Sequence, residues 1–226
     1  MSALINLSLA PAVICLLYVY VRDKYEKEPV GLLVAAVSGG VAAAFLVLFC
    51  GSFLKFFEPK KSLLLKNIYT VFVSSAGIEE LMKFILLVLI PWRSKNFNEH
   101  FDGIVYGAFV ALGFAAVENV IYVLSPTLGG FNTAIKRAVY SVPGHGLFGV
   151  SMGYYYAFAK FSTQKRKKYL FLSFFVPWLL HSAYNGILIF LSDFYLAVFI
   201  PYLIFLWENG FKKMNIHINK SPFKND

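Results

Sequence analysis

Residues 68–91 read IYTVFVSSAGIEELMKFILLVLIP, an apolar run with Glu79, Glu80 and Lys83 set in its middle. A helix of about 20 residues crosses the hydrocarbon of a bilayer, so the run is long enough to span. A charged side chain at mid-membrane costs at least about 2.5–3.5 kcal/mol on insertion scales, so charges there face a bundle interior and mark function. The run therefore predicts a helix that is surrounded by others.

Outward from it, six more stretches have the same character: residues 4–21, 30–54, 102–124, 138–160, 169–191 and 194–208, the last the shortest. The expected fold is all-α, a polytopic membrane bundle of about seven transmembrane helices, with residues 1–208 as one embedded domain and 209–226 as a basic tail. Composition agrees: 58% of the 226 residues are hydrophobic and 15% charged, against roughly 45–50% and about 25% in soluble domains. Cys15 and Cys50 both sit inside apolar runs, which excludes a disulfide-stapled module and a thiolate zinc site. With no Lys or Arg before Arg22, the first span is expected to be retained rather than cleaved as a signal peptide.

The basic residues give orientation. Arg22, Lys24, Lys27, Arg93, Lys95, Lys160, Lys165, Arg166, Lys167, Lys168, Lys212, Lys213, Lys220 and Lys224 fall on one side of the alternating spans. Only Lys55, Lys60, Lys61, Lys66, Lys136 and Arg137 fall on the other. The positive-inside rule puts the N-terminus outside and the C-terminus in the cytoplasm, provided the seventh span crosses. The net charge of +9 is scattered over loops with no basic stripe, so nucleic acid is not an expected partner; the lipid bilayer is.

Polar residues gather in the spans. Span three has Glu79, Glu80 and Lys83, span four Glu118 and Asn119, span five His145, and span six His181 and Asn185. At about 1.5 Å rise per residue, Glu79 and Glu80 lie roughly 17 Å from the outer surface and the others roughly 9–15 Å from it. One buried site opening outward is expected. His181 and Asn185 share a helix face, Glu79 and Glu80 diverge by about 100°, and Lys83 reaches either carboxylate. Three carboxylates against one lysine leave negative charge for protons, a metal or the histidines to offset. Pro143 and Pro177 are expected to interrupt their helices beside a wet cavity. Gly103-x-x-x-Gly107 and Gly149-x-x-x-Gly153 read as close helix contacts, and His100 and His217 as solvated loop residues.

Such a site can hydrolyse an amide, which needs an activated water and groups facing the developing oxyanion. In one mechanism a glutamate, Glu79 or Glu80, activates water directly while His181 and Asn185 stabilise the oxyanion. In the other, His145, His181 and one or two glutamates, Glu80 and Glu118 in the fuller set, hold zinc while a further glutamate acts as base. Two other classes remain open: a small proton- or ion-coupled transporter, against which no duplicated halves are visible, and a non-catalytic scaffold.

Asp23-x-x-Glu26-x-Glu28-Pro29, Glu79-Glu80-x-x-Lys83, the run from Phe101-Asp102-Gly103 through Gly113-Phe114-Ala115-Ala116-Val117-Glu118-Asn119, His145 and His181-x-x-x-Asn185 resemble the PrsW family of bacterial intramembrane proteases. The resemblance covers residues 23–186. It implies a multi-pass protein of the bacterial cell membrane that makes the first, outer cut in a membrane-anchored substrate such as an anti-sigma factor. Carried onto this chain, it marks Glu79, Glu80, Glu118, His145 and His181 as functional, with Asn185 supporting. The family is distantly similar to the CAAX prenyl proteases, whose E-E-x-x-x-R has its basic residue one position later than Lys83. The segment from Asp23 to Pro29 is expected to be a juxtamembrane turn, with Pro29 starting span two.

Overall fold

Each long apolar stretch folds as helix, since no backbone N–H or C=O can be left unpaired in lipid. The computed structural model describes residues 2–191 and 194–224; Met1, Ser192, Asp193, Asn225 and Asp226, which fall in the expected domain and tail, lie outside the described residues. Helices α1 (Ser2–Arg22), α2 (Val30–Leu54), α3 (Leu63–Tyr69), α4 (Ala76–Leu89), α5 (His100–Val123), α6 (Phe131–Lys136), α7 (Val142–Phe161), α8 (Arg166–Phe190) and α9 (Tyr195–Ile218) account for the fold, with no strand among the described residues. A π-helical stretch, Thr70–Ser75, joins α3 to α4, and another, Arg137–Ser141, joins α6 to α7. The described helices thus make seven continuous runs.

Among the described residues, four helices are long and apolar enough to cross a membrane: Ala3–Arg22, Val30–Phe57, His100–Val123 and Arg166–Phe190. The other three runs carry more polar residues: Glu79, Glu80 and Lys83 in 63–89, Arg137, His145 and Lys160 in 131–161, and Glu208, Lys212 and Lys213 in α9.

Helix α5 is the core. It packs against α7, α2 and α1, and Ile104, Val105, Tyr106, Ala108 and Val110 are wholly buried along it. Gly103 and Gly107 of α5 meet Gly149 and Gly153 of α7: a Cβ on Gly103 would lie 2.7 Å from the Gly153 carbonyl oxygen, and one on Gly149 would lie 2.6 Å from that of Gly107. The backbones touch, as the spacing predicts, and this brings the Glu118 helix against the His145 helix. The start of α5 is closed by a capping box in which Asp102 accepts from the Glu99 N–H at 2.8 Å.

Several expectations are corrected. The last helix does not stop at 208 but runs to Ile218, because its polar end finds partners: Lys213 donates to Ser151 Oγ at 2.7 Å, and His217 Nδ1 meets the His100 carbonyl at 2.9 Å. His217 is therefore buried, stacked on Tyr154, and His100 begins α5 rather than lying in a loop. Pro177 sits inside an uninterrupted α8, whereas the regular helix is interrupted just before Pro143, by the π-helical stretch Arg137–Ser141. The segment from Asp23 to Pro29 does turn the chain into α2, but Asp23 and Glu28 are buried in it, with the Tyr106 hydroxyl donating to Glu28.

Candidate active site

The two π stretches lead directly into the segments that carry the chemistry, Ala76–Lys83 and Val142–His145. A π turn leaves carbonyls out of the regular ladder. The Phe72 carbonyl is satisfied by Trp178 Nε1 of α8 at 2.8 Å, and it lies so close to Gly77 that a Cβ there would collide with it. Gly77 is thus needed to let the chain re-enter α4 and present Glu79 and Glu80 to the interior.

Glu80 has no exposure. Its Oε1 accepts from Lys83 Nζ at 2.8 Å and from His181 Nδ1 at 2.9 Å. Lys83 is equally buried, lies 3.6 Å from Glu79 Oε2 and 3.2 Å from His145 Nδ1, and sits over the Phe114 ring. Of the two carboxylates that Lys83 reaches, Glu80 is the nearer. Glu79 is on the wall of a cavity of about 700 Å³, together with Glu118, Arg137, His145, His181 and Asn185. Glu79 Oε1 accepts from Ser75 Oγ at 3.3 Å, and Ser75 Oγ accepts from Asn185 Nδ2 at 3.0 Å. The His181 ring is stacked on Phe148, 4.9 Å between centroids, and stands edge-on to His145 at 5.1 Å.

Glu79, Glu80, His145 and His181 each offer one ligand atom within 4.8 Å of those of the others, and all four are buried. Glu79 Oε2 and Glu80 Oε2 are also buried with no hydrogen-bond partner. Two carboxylates, two imidazoles and two orphaned oxygens are the donor set that a divalent metal satisfies. Of the four residues expected around a metal, Glu80, His145 and His181 stand together; Glu118 does not join them, and Glu79 does. Glu118 lies on the other side of the His145 ring, 2.9 Å from Nε2, with Arg137 Nη2 donating to it at 2.6 Å.

Two residues were missed. Ser75 stands one helical turn before Glu79, a spacing that could have revealed it. Arg137, an outer loop charge by the pattern of spans, is brought beside Glu118 by packing alone, and it reduces the negative excess of the site by one.

A helical bundle that buries carboxylates and imidazoles at the wall of a cavity, with the means to activate water there, defines a membrane-embedded hydrolase. Comparison with known proteins gives the particular kind. The pattern of the PrsW family intramembrane metalloproteases matches residues 28–207, and the chain belongs to that family. Protease PrsW of Bacillus subtilis (strain 168) is 37% identical over 214 residues, 94% of each chain. That of Geobacillus kaustophilus (strain HTA426) is 34% identical over 216 residues, 95% of this chain and 92% of its own, and that of Clostridioides difficile (strain 630) is 33% identical over 221, 95% and 91%. No solved structure matches.

Proposed function

We propose that this intramembrane metalloprotease cuts a membrane-anchored protein near the outer face of the bacterial cell membrane, as in the first cleavage of an anti-sigma factor. In this reading seven helices span, the N-terminus is outside, the C-terminus is cytoplasmic, and residues 1–208 make the embedded protease. The observation that carries it is the position of Glu79: a carboxylate on the cavity wall, one residue from a carboxylate with no access to that cavity.

Glu79 is the base. It takes a proton from water, the resulting hydroxide attacks the scissile carbonyl carbon, and the protonated Glu79 returns the proton to the amine as the C–N bond breaks. Ser75, itself held by Asn185, donates to Oε1 and keeps the carboxylate turned to the cavity. Glu80 is held by Lys83 and His181 and anchors the site. The second Asn185 N–H faces the oxyanion, and His181 joins it where it does not ligate a metal. Glu80, His145 and His181, with Glu79 beside them, would hold a zinc ion, which when bound supplies a water of lowered pKa and a Lewis acid. The transporter reading is not favoured, because the chain belongs to a protease family.

The test uses detergent-purified protein and a single-span substrate with its outer segment intact. The wild type releases an outer fragment; Glu79→Gln lowers kcat at least about 100-fold, the span typical of general-base loss, with melting unchanged. Near-stoichiometric zinc in the wild type, absent from His181→Ala, accompanies it. Normal cutting by Glu79→Gln would remove Glu79 from the base role.

A further inference from the structure

The two ring nitrogens of His145 face different neighbours. Nδ1 lies 3.2 Å from Lys83 Nζ, on the side of Glu79 and Glu80; Nε2 lies 2.9 Å from Glu118 Oε2. An ammonium only donates and a carboxylate only accepts, so Nδ1 presents its lone pair and Nε2 carries the proton. Behind Glu118 the contacts continue. Arg137 Nη2 donates to the same carboxylate oxygen at 2.6 Å, Arg137 Nε donates to Asn119 Oδ1 at 2.8 Å, and Asn119 Nδ2 donates to the Ser8 carbonyl of α1 at 2.6 Å. The guanidinium lies over the Tyr122 ring, 4.2 Å from its centroid.

We propose that Glu118 and Arg137 are positioning residues of the metal site: Glu118 holds His145 with Nδ1 unprotonated and turned toward Glu79, Glu80 and His181, and Arg137 holds Glu118. The proposal rests on the metal reading above. Imidazole ligates a metal only through a nitrogen that carries no proton, and a carboxylate on the other nitrogen decides which one that is and makes the ring a better donor. Arg137 has a separate task. Glu118 borders the cavity, and without a fixed cation its carboxylate is free to swing away from Nε2 into that space. The arginine fork, pinned to Asn119 and Tyr122, removes that freedom. The arrangement also explains why a third carboxylate sits so close to the cluster without joining it.

The experiment takes the full chain in detergent and makes two measurements. One is zinc affinity by competition with a chelator; the other is nitrogen NMR of ¹⁵N-histidine-labelled, metal-free protein, which reads the His145 tautomer. The wild type is expected to hold a single Nε2-protonated ring. Glu118→Ala should weaken zinc binding about 10- to 100-fold, the range for loss of such a partner, and shift the Nε2 signal, which loses its carboxylate, while Lys83 at Nδ1 keeps the proton on Nε2. Arg137→Ala should shift affinity in the same direction by less, and the double variant should be no weaker than Glu118→Ala, because Arg137 acts through Glu118. If Glu118→Ala does not fold, Glu118→Gln, which keeps the shape and loses the charge, carries both measurements. Unchanged affinity and ring signal with only a lower melting temperature would overturn the proposal. A wild type that takes up no zinc would sink the metal reading instead, and the ring signal would still decide whether Glu118 fixes His145.

Discussion

Ser75 touches no candidate ligand except Glu79, yet it decides where that carboxylate points. It bridges Asn185 Nδ2 at 3.0 Å and Glu79 Oε1 at 3.3 Å, so the amide of α8 reaches the base of α4 only through this hydroxyl. Hydrogen bonds to charged groups contribute about 1.5–3 kcal/mol, and about 1.4 kcal/mol is tenfold in rate. Ser75→Ala should therefore lower kcat about tenfold or more while KM and melting temperature stay near the wild type. Unaltered kcat would mean that Glu79 is oriented by something else. At this scale the sequence was legible wherever charge was expensive: Glu79, Glu80, Lys83, Glu118, His145 and His181 all stood out because lipid does not tolerate them. Ser75 did not, since a serine in a spanning helix is cheap and common. Nor did Arg137, whose partner is 19 residues away and reached only by folding α6 back along α5.

At the scale of elements the glycines matter more than the charges. Gly103, Gly107, Gly149 and Gly153 let α5 and α7 meet backbone to backbone, so that Glu118 and His145 come within 2.9 Å. A Cβ on Gly153 would collide with the Gly103 carbonyl and lie 2.7 Å from Ile104 Cα; these are backbone atoms that can yield only if the helices part. Gly153→Val should cost about 1–3 kcal/mol or more, as overpacking does, and weaken zinc binding as well, since parting α5 from α7 draws Glu118 off His145. Gly51→Ala, in α2 with nothing within 4 Å of the added carbon, is the matched control and should melt at or slightly above the wild type. If both variants melt alike, the contact is not what holds the two helices. The spacing made this pair of motifs readable. The π turn at Thr70–Ser75 was not, because the group that satisfies it, Trp178, belongs to a helix over a hundred residues away, whereas the one at Arg137–Ser141 is announced by Pro143 just after it.

Across the whole molecule the buried carboxylates divide into two groups. One is the active site; the other closes the opposite end, where Asp23, Glu28, Glu99 and Asp102 are all buried and where Arg22 reaches Asn215 and Lys160 reaches the Trp92 carbonyl. Burial pushes the Asp23 carboxyl up to about 7, Lys27 draws it back, and Glu99 and Glu28 push it further. Burial also raises Glu28 and Glu99, against the hydrogen bonds from Tyr106 and Ser221. A carboxyl whose pKa is higher folded than unfolded binds its proton more tightly in the native state. Its contribution is therefore full below the unfolded value near 3.8 and is lost as pH rises through about 7. The melting temperature of the detergent-purified protein should fall from about pH 4 to about pH 7 and level off above, the reverse of the acid sensitivity of proteins held by paired carboxylates. Asp23→Asn, which needs no proton to be neutral, should melt higher than the wild type at pH 8 and nearly the same at about pH 4. A flat profile, or an Asp23→Asn curve parallel to the wild type, would mean that a fixed cation rather than protons neutralises this end. Because the proposed topology puts that end in the cytoplasm and the cavity on the outer side, the stability of the fold would respond to internal pH while the chemistry responds to the outside.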